Sequence, residues 1–138
     1  MTPEIIVALA RETLETPFRH QGRSPANGID CVGVAAHVAN GLGLPYIDQI
    51  GYARQPSGGQ LESALDEQPC LVRIPVAQAS AGDVLVMRFS GDPQHVAILA
   101  GKTIIHAFEK NKKVVEHDLT EYWRTRIVRA YRFVEVTP

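Results

Sequence analysis

The sequence predicts an α+β domain in which N-terminal helices pack on a central antiparallel β-sheet. Two observations support this. Up to about residue 67, apolar residues recur at helical spacing or form one continuous run, whereas from residue 71 they form short strand-like runs separated by turn residues. Helices followed by consecutive strands are typical of α+β proteins. The 138 residues contain no repeat or linker, so residues 1–138 are predicted to form a single domain.

The first helix is predicted to begin with Thr2 as N-cap and Pro3 at the first helical position. We expect it to continue until the pair Thr16-Pro17, because proline cannot extend a helix. The residues expected on one side of it are Ile5, Ile6, Leu9 and Thr13. This side would let the helix cover the rest of the domain.

The second helix is predicted from about Asp30 to Ala39, between a Gly- and Pro-containing loop at 18–28 and the pair Asn40-Gly41. Its apolar residues circle the whole helix, so we expect it to be buried on most sides, with Gly33 allowing a close approach. Residues 41–60 are predicted to form a long loop of the kind that shapes binding sites. A short helix should follow from Gln60 to Glu67.

The second half of the chain is predicted to form a meander of short strands. Their expected bounds are Leu71–Ile74, Val84–Phe89, His95–Ala100, Thr103–Phe108, Val114–His117 and Ile127–Val134. Gly101-Lys102 between two of them suits a two-residue hairpin. In that register Ala97 opposes His106, so His95 and His106 lie diagonally on one face.

Composition narrows the function. A formal net charge of -1 and the lack of a basic stripe argue against nucleic-acid binding. No apolar stretch is long enough for a membrane span, and Thr2-Pro3-Glu4 does not resemble a signal peptide, so we expect synthesis in the cytoplasm. The two cysteines are therefore expected to be free thiols.

Cys31 lies in the first turn of the predicted second helix. Unpaired amides and the positive end of the helix dipole at that position favour a thiolate and can stabilise an oxyanion. If the histidine face meets this helix terminus, Cys31 would be a nucleophile, His95 its general base and His106 the group that orients the base.

The local sequence makes this hypothesis specific. The stretches GIDCVGV and GDVLVMRFSGDPQHVAILAGKTIIHA resemble the NlpC family of cell-wall cysteine endopeptidases, over about residues 16–133. The stretch TPFRHQGR is similar to the branch found in phage tails. The resemblance implies a papain-like fold, a triad of Cys31, His95 and His106, no cofactor, and hydrolysis of the γ-D-glutamyl to diamino acid bond in peptidoglycan stem peptides.

The resemblance also implies substrate contacts near the nucleophile. Asp30 would face the amino end of the substrate, although a helix N-cap explains it equally well. Many relatives carry Tyr and Ser where this chain has Phe18 and Val32. Both hydroxyls are therefore missing, which leaves the exact substrate open. The loop at 18–28 is called the entry loop below. His20 in this loop is a further candidate for lining the cleft.

Several alternatives remain open at the level of sequence. His95, His106 and His117 recur every eleven residues and could hold zinc, although no carboxylate or cysteine accompanies them at ligand spacing. The same triad would also serve a thiol acyltransferase or amidase on other substrates. A structural tail component with an idle site is the third alternative. In the preferred interpretation a phage or tail-like particle delivers the enzyme to the cell wall.

Overall fold

The computed structural model describes residues 2–47, 59–89 and 95–134. Its α-helices are α1 (Pro3–Arg11), α2 (Cys31–Gly41), α3 (Gln60–Asp66) and α4 (Glu121–Arg124). Its strands are β1 (Arg23–Ser24), β2 (Gly28–Ile29), β3 (Leu71–Ile74), β4 (Val84–Met87), β5 (His95–Leu99), β6 (Thr103–Phe108), β7 (Lys113–Asp118) and β8 (Ile127–Phe133). The predicted α+β class is confirmed, and no helix in these residues is long and apolar enough to cross a membrane.

The six strands β3 to β8 form one antiparallel sheet in the order β3-β8-β4-β5-β6-β7. Strands β4 to β7 form the predicted meander, but the last strand is inserted between β3 and β4. The meander prediction was therefore incomplete. The insertion buries Ala130, Tyr131 and Phe133 in the middle of the sheet, where their apolar surface is removed from water.

Helix α1 begins as predicted, with Thr2 as N-cap and Pro3 in the first turn, but it ends at Arg11. The predicted apolar side was partly wrong, because Ile5 is 47% exposed. The residues that α1 buries are Ile6, Val7 and Ala10. Beyond the helix, the Thr13 hydroxyl donates to the Ala10 carbonyl oxygen at 2.6 Å, which ties the final turns together.

Helix α2 is buried on most sides, as predicted, and packs on β5 and β6. Gly33 allows a close approach on another side, to the loop before the helix. An added Cβ at this position would lie 2.3 Å from the Gly22 carbonyl oxygen and 2.6 Å from Ile29 Cγ1. Only glycine therefore fits where the entry loop crosses α2.

The two faces of the sheet bury different clusters. Val96 and Ile98 of β5 belong to the cluster that contains the α1 and α2 side chains. Ala97 and Leu99 point to the opposite face, where Trp123 of α4 packs. Neither α4 nor this second cluster was predicted, because a four-residue helix carries almost no periodic signal.

Two sequence predictions concern loops. The predicted loop at 18–28 contains the small antiparallel pair β1 and β2, in which Arg23 is opposite Ile29. Most of the predicted long loop lies at 48–58, outside the described residues, so its relation to the cleft stays a prediction.

Candidate active site

Cys31 is the first residue of α2, and Asp30 before it caps the helix. The Gly33 amide donates to Asp30 Oδ1 at 2.8 Å, which satisfies one of the unpaired amides of the first turn. The Gln21 amide donates to the other carboxylate oxygen at 2.8 Å, and Arg23 Nη1 lies 3.0 Å from Oδ1. The N-cap interpretation of Asp30 is therefore correct, and its carboxylate holds the entry loop against the helix.

Strands β5 and β6 are paired over only part of their length, and Cys31 lies near the unpaired part, which we call the opening of the sheet. The pairing of β5 with β6 covers Ile98 opposite Ile105 and Leu99 opposite Ile104. The Leu99 amide points toward β4, where it donates to the Asp83 carbonyl oxygen at 2.9 Å. By alternation the Val96 amide points toward β6, beyond the end of the paired residues.

The Cys31 sulfur lies in this opening. The backbone of Val96 and that of Val32 are close enough to the sulfur to lower its pKa. The nucleophile candidate is thus next to the backbone of the residue that follows His95. Ala97 lies on one face of the sheet, and helix α2 packs on the other. Cys31, the first residue of α2, is the part of the helix that reaches the end of β5.

His95 and His106 are in direct contact. His95 Nε2 lies 2.5 Å from His106 Nδ1, and both side chains are buried. The observed pairing of β5 with β6 has the register predicted from the Gly101-Lys102 turn. Ala100 and Thr103 close that turn through a 2.8 Å backbone hydrogen bond. The prediction that the two histidines share one face is therefore confirmed.

Opposing effects act on the pKa of Cys31. Burial, and to a smaller extent the negative charge of Asp30, raise the pKa of the Cys31 thiol to about 12. The backbone of Val96 and Val32 and the positive charge of Arg23 oppose this shift without cancelling it. The sequence analysis predicted that the helix N-terminus favours a thiolate; in the structure, desolvation and a neighbouring carboxylate act in the opposite direction.

Both histidines are also neutral in the resting site. Burial lowers the pKa of His95 to about 4, with the charge of His117 as a smaller cause. Burial likewise lowers the pKa of His106, and His95 and His117 add to that shift. At pH 7 the site therefore holds a thiol and two neutral imidazoles. The described residues contain no hydrogen bond between the Cys31 sulfur and the His95 ring.

A third histidine extends the pair. His117 Nε2 lies 2.8 Å from His106 Nε2, and His117 Nδ1 lies 3.0 Å from the Asp118 carbonyl oxygen. The sequence contained a signal for this contact, because the three histidines recur every eleven residues, but we interpreted that spacing only as an alternative zinc site.

The zinc alternative does not fit the geometry. Two nitrogens that bind one tetrahedral zinc lie about 3.4 Å apart, since each is about 2.1 Å from the metal. The histidine nitrogens face each other at 2.5 and 2.8 Å instead, as hydrogen-bonded rings do. In the described part of the chain, no group of three or more His, Cys, Asp or Glu side chains is arranged to hold a metal.

Aromatic side chains surround the histidines. Trp123 lies over all three rings, with centroids 6.5 Å from His95, 5.1 Å from His106 and 5.0 Å from His117. Phe108 packs against His95 and His106. These rings keep water away from the histidines, which explains why burial dominates the two pKa shifts.

The entry loop contains a cavity of about 450 Å³. It is lined by Arg19, His20, Gln21, Gly22, Arg23, Ser24 and Asn27. Because Arg23 and the Gln21 amide also contact Asp30, the cavity is next to the start of α2. His20 is among the residues that line this cavity, and its place in the cleft at Cys31 stays a prediction.

The other candidate positions are placed as follows. Phe18 is half-buried against the main core, and Val32 is 8% exposed in the first turn of α2. Cys70 is buried in the core immediately before β3. His37 is bonded to Glu12 at 2.9 Å on the surface of α2, away from the histidine chain.

Comparison with known proteins identifies the family. The NlpC/P60 family model matches residues 15–132. The NlpC/p60 domain of the peptidoglycan hydrolase SagA is 30% identical, with coverage of 94% of this chain and 97% of that domain and a TM-score of 0.64. No curated protein sequence matches the chain significantly.

Two further structures share the fold. An NLP/P60 lipoprotein-like protein from Staphylococcus aureus is 22% identical, with a TM-score of 0.67; the match covers 96% of this chain but 41% of that protein. The peptidoglycan hydrolase RipB from Mycobacterium tuberculosis is 19% identical, with a TM-score of 0.66 and coverage of 96% and 64%. The family match over most of the chain and the likeness to SagA lead to one conclusion: this chain belongs to the NlpC/P60 family, which includes peptidoglycan hydrolases.

Proposed function

We propose that this protein is a cysteine endopeptidase that hydrolyses peptidoglycan stem peptides at the γ-D-glutamyl to diamino acid bond. The observation that carries the proposal is the position of Cys31 at the opening of the sheet, beside the strand that starts with the hydrogen-bonded His95. Membership of a family that includes the hydrolases SagA and RipB supports peptidoglycan as the substrate.

His95 is the base in this mechanism. Its Nε2 is engaged with His106, so Nδ1 is the nitrogen that takes the proton from the Cys31 thiol. The raised pKa of the thiol and the lowered pKa of His95 make this transfer unfavourable in the resting site. We propose that the proton moves as the sulfur bonds to the substrate carbonyl, so that thiolate and imidazolium do not accumulate.

The later steps use the same residues. The first intermediate is a tetrahedral oxyanion, which the backbone amide of Cys31 at the helix N-terminus can stabilise together with a second donor. His95 returns its proton to the leaving amine as the carbon–nitrogen bond breaks, leaving a thioester on Cys31. A water molecule, deprotonated by His95, then attacks the thioester. The new acid leaves and the thiol regains its proton.

The cavity in the entry loop supports the choice of substrate. A γ-linked D-glutamyl residue keeps its α-carboxylate free, so the peptide carries a negative charge next to the cleaved bond. Arg19 brings positive charge to the cavity beside the first turn of α2, and Arg23, which is paired with Asp30, also lines it. We propose that the cavity binds the acyl side of the stem peptide through this carboxylate.

The direct test is digestion of purified peptidoglycan and isolated stem peptides by the parent protein and Cys31→Ala, with products identified by mass spectrometry. Cleavage at the γ-D-glutamyl bond by the parent alone is expected. A second substrate, in which the α-carboxylate is amidated, tests the cavity and should be cleaved more slowly. If the parent protein is folded but cleaves neither peptidoglycan nor the isolated stem peptides, the proposal is refuted.

Delivery by a phage or tail-like particle is a further part of the proposal. It rests on the stretch TPFRHQGR, which resembles the tail-associated branch of the family. Mass spectrometry of purified particles from the producing cells would test it. Finding the protein exported free of any particle would contradict it.

A further inference from the structure

His117 lies one strand away from the two histidines of the proposed triad. It is half-buried on β7, where it is paired with Ile104 of β6. Its two ring nitrogens have different partners, His106 Nε2 at 2.8 Å and the Asp118 carbonyl oxygen at 3.0 Å. The series His95–His106–His117 is therefore anchored at one end on the backbone.

The contact between His117 Nδ1 and the Asp118 carbonyl oxygen, called the anchor below, determines which ring nitrogen carries the proton in each of the three histidines when all are neutral. A carbonyl oxygen only accepts, so Nδ1 of His117 must carry a proton. Nε2 of a neutral His117 then has no proton and accepts from Nε2–H of His106. His106 in turn accepts through Nδ1 from Nε2–H of His95. His95 Nδ1 is left without a proton, as a general base requires.

Removing the anchor makes a second arrangement available. If His106 carried its proton on Nδ1, it would donate to His95 Nε2, and the neutral His95 would hold its proton on Nδ1. In that form the nitrogen assigned to the thiol could not accept. The bond from His106 to His95 alone does not distinguish the two arrangements, because it forms in both.

We propose that His117 is a positioning residue that fixes the tautomers of His106 and His95. It contacts neither Cys31 nor the substrate in this scheme, and its effect on catalysis rests on the proposed peptidase function. Trp123 supports it by packing against both His106 and His117, at centroid distances of 5.1 and 5.0 Å. Partners that orient a functional histidine in this way contribute about 10- to 100-fold to activity in metal sites.

The test uses two kinds of His117 variant, one without and one with hydrogen-bonding groups. His117→Phe keeps an aromatic ring next to Trp123 but has no nitrogen, and His117→Leu serves the same purpose if the phenylalanine variant does not fold. His117→Gln keeps an acceptor for His106 and a donor for the Asp118 carbonyl. The matched control is His37→Leu, which removes a histidine bonded to Glu12 instead.

Nitrogen-15 NMR of labelled histidines reads the tautomers directly, without any substrate. At pH 7.5 the parent and His37→Leu should hold the His95 proton on Nε2. His117→Phe should show a mixture with the Nδ1–H form, and His117→Gln should restore the parent spectrum. A parent His95 with its proton on Nδ1, or unchanged tautomers in His117→Phe, would overturn the proposal.

Kinetics on the stem peptide provide the second measurement. We expect kcat/KM to fall about 10- to 100-fold in His117→Phe and to stay within about threefold of the parent in His117→Gln. Equal loss in both variants would overturn the positioning role. If no variant, including the parent, cleaves the peptide while the tautomers shift as expected, the peptidase proposal fails and the role of His117 stands.

Discussion

His95 Nε2 and His106 Nδ1 lie 2.5 Å apart, in a part of the sheet covered by aromatic side chains. The bond joins two neutral rings, because burial lowers the pKa of both. It leaves Nδ1 as the nitrogen of His95 that would accept the thiol proton in the proposed mechanism. This relationship determines most of the expected behaviour of the site.

The effect of a substitution at His106 on activity should depend on whether the new side chain accepts a hydrogen bond, rather than on its size. In His106→Asn the amide oxygen can still accept from His95, whereas His106→Leu removes the acceptor while filling a similar volume. We expect kcat on the stem peptide to fall about 100-fold in His106→Leu and clearly less in His106→Asn. Equal activity of the two variants would contradict an orienting role. Thermal unfolding of both variants is the control for a change in stability.

Alkylation of Cys31 should be slow at pH 6 and rise steadily with pH. A thiol whose pKa is raised to about 12 has a thiolate fraction that grows about tenfold per pH unit through the neutral range. The measurement is the rate of iodoacetamide labelling of Cys31 between pH 6 and 9, by peptide mass spectrometry. Cys31→Ala controls for labelling of Cys70. A rate that is already on a plateau at pH 6 would show a resting thiolate instead.

Asp30→Asn should make Cys31 more reactive. The change removes the negative charge that raises the pKa of the thiol but keeps an oxygen to cap α2. The alkylation rate at pH 8 should therefore increase. Asp83→Asn is the matched control, because Asp83 is also a buried carboxylate with an arginine partner, Arg132 at 2.9 Å. An equal increase in both variants would argue against a direct effect of Asp30.

The buried histidines should make the fold less stable in acid. An unfolded histidine binds a proton near pH 6.5, whereas folded His95 does so only near pH 4. The unfolded state therefore binds more protons between these values, and the free energy of unfolding falls as the pH falls through this window. His95 alone should contribute about 3 kcal/mol to this loss.

Urea unfolding at pH 7, 5.5 and 4 measures this effect. The parent should lose more stability over the series than His95→Gln, which has no proton to bind in this range. His37→Gln, which changes a histidine that is not buried, should follow the parent. A parallel loss in the parent and His95→Gln would refute the contribution of His95.

Gly33→Ala should destabilise the protein even though alanine favours helices by about 1 kcal/mol over glycine. The added Cβ would lie 2.3 Å from the Gly22 backbone oxygen, so α2 and the entry loop must move apart. We expect a net loss of about 2 kcal/mol in urea unfolding, together with lower activity. Gly41→Ala is the control, because its Cβ meets the flexible end of Leu9 instead of backbone. The proposal of a required close approach fails if Gly33→Ala is as stable as Gly41→Ala.

Local sequence predicted the elements that carry the site. The Asp30 cap, the buried run of α2 and the short apolar runs of β5 and β6 all follow from side-chain chemistry within a few residues. The two-residue turn then fixes the register that brings His95 and His106 to one face. These are short-range effects, so one sequence is sufficient to predict them.

Long-range packing decided the rest. The insertion of β8 between β3 and β4, the placement of Trp123 over the histidines and the opening between β5 and β6 join residues that are distant along the chain. The pKa of Cys31 depends on the same packing, because burial and the Asp30 charge raise it more than the Val96 and Val32 backbone and Arg23 lower it. The sequence by itself determined which groups could react. Their protonation depends on what surrounds them, and only the tertiary structure decided that.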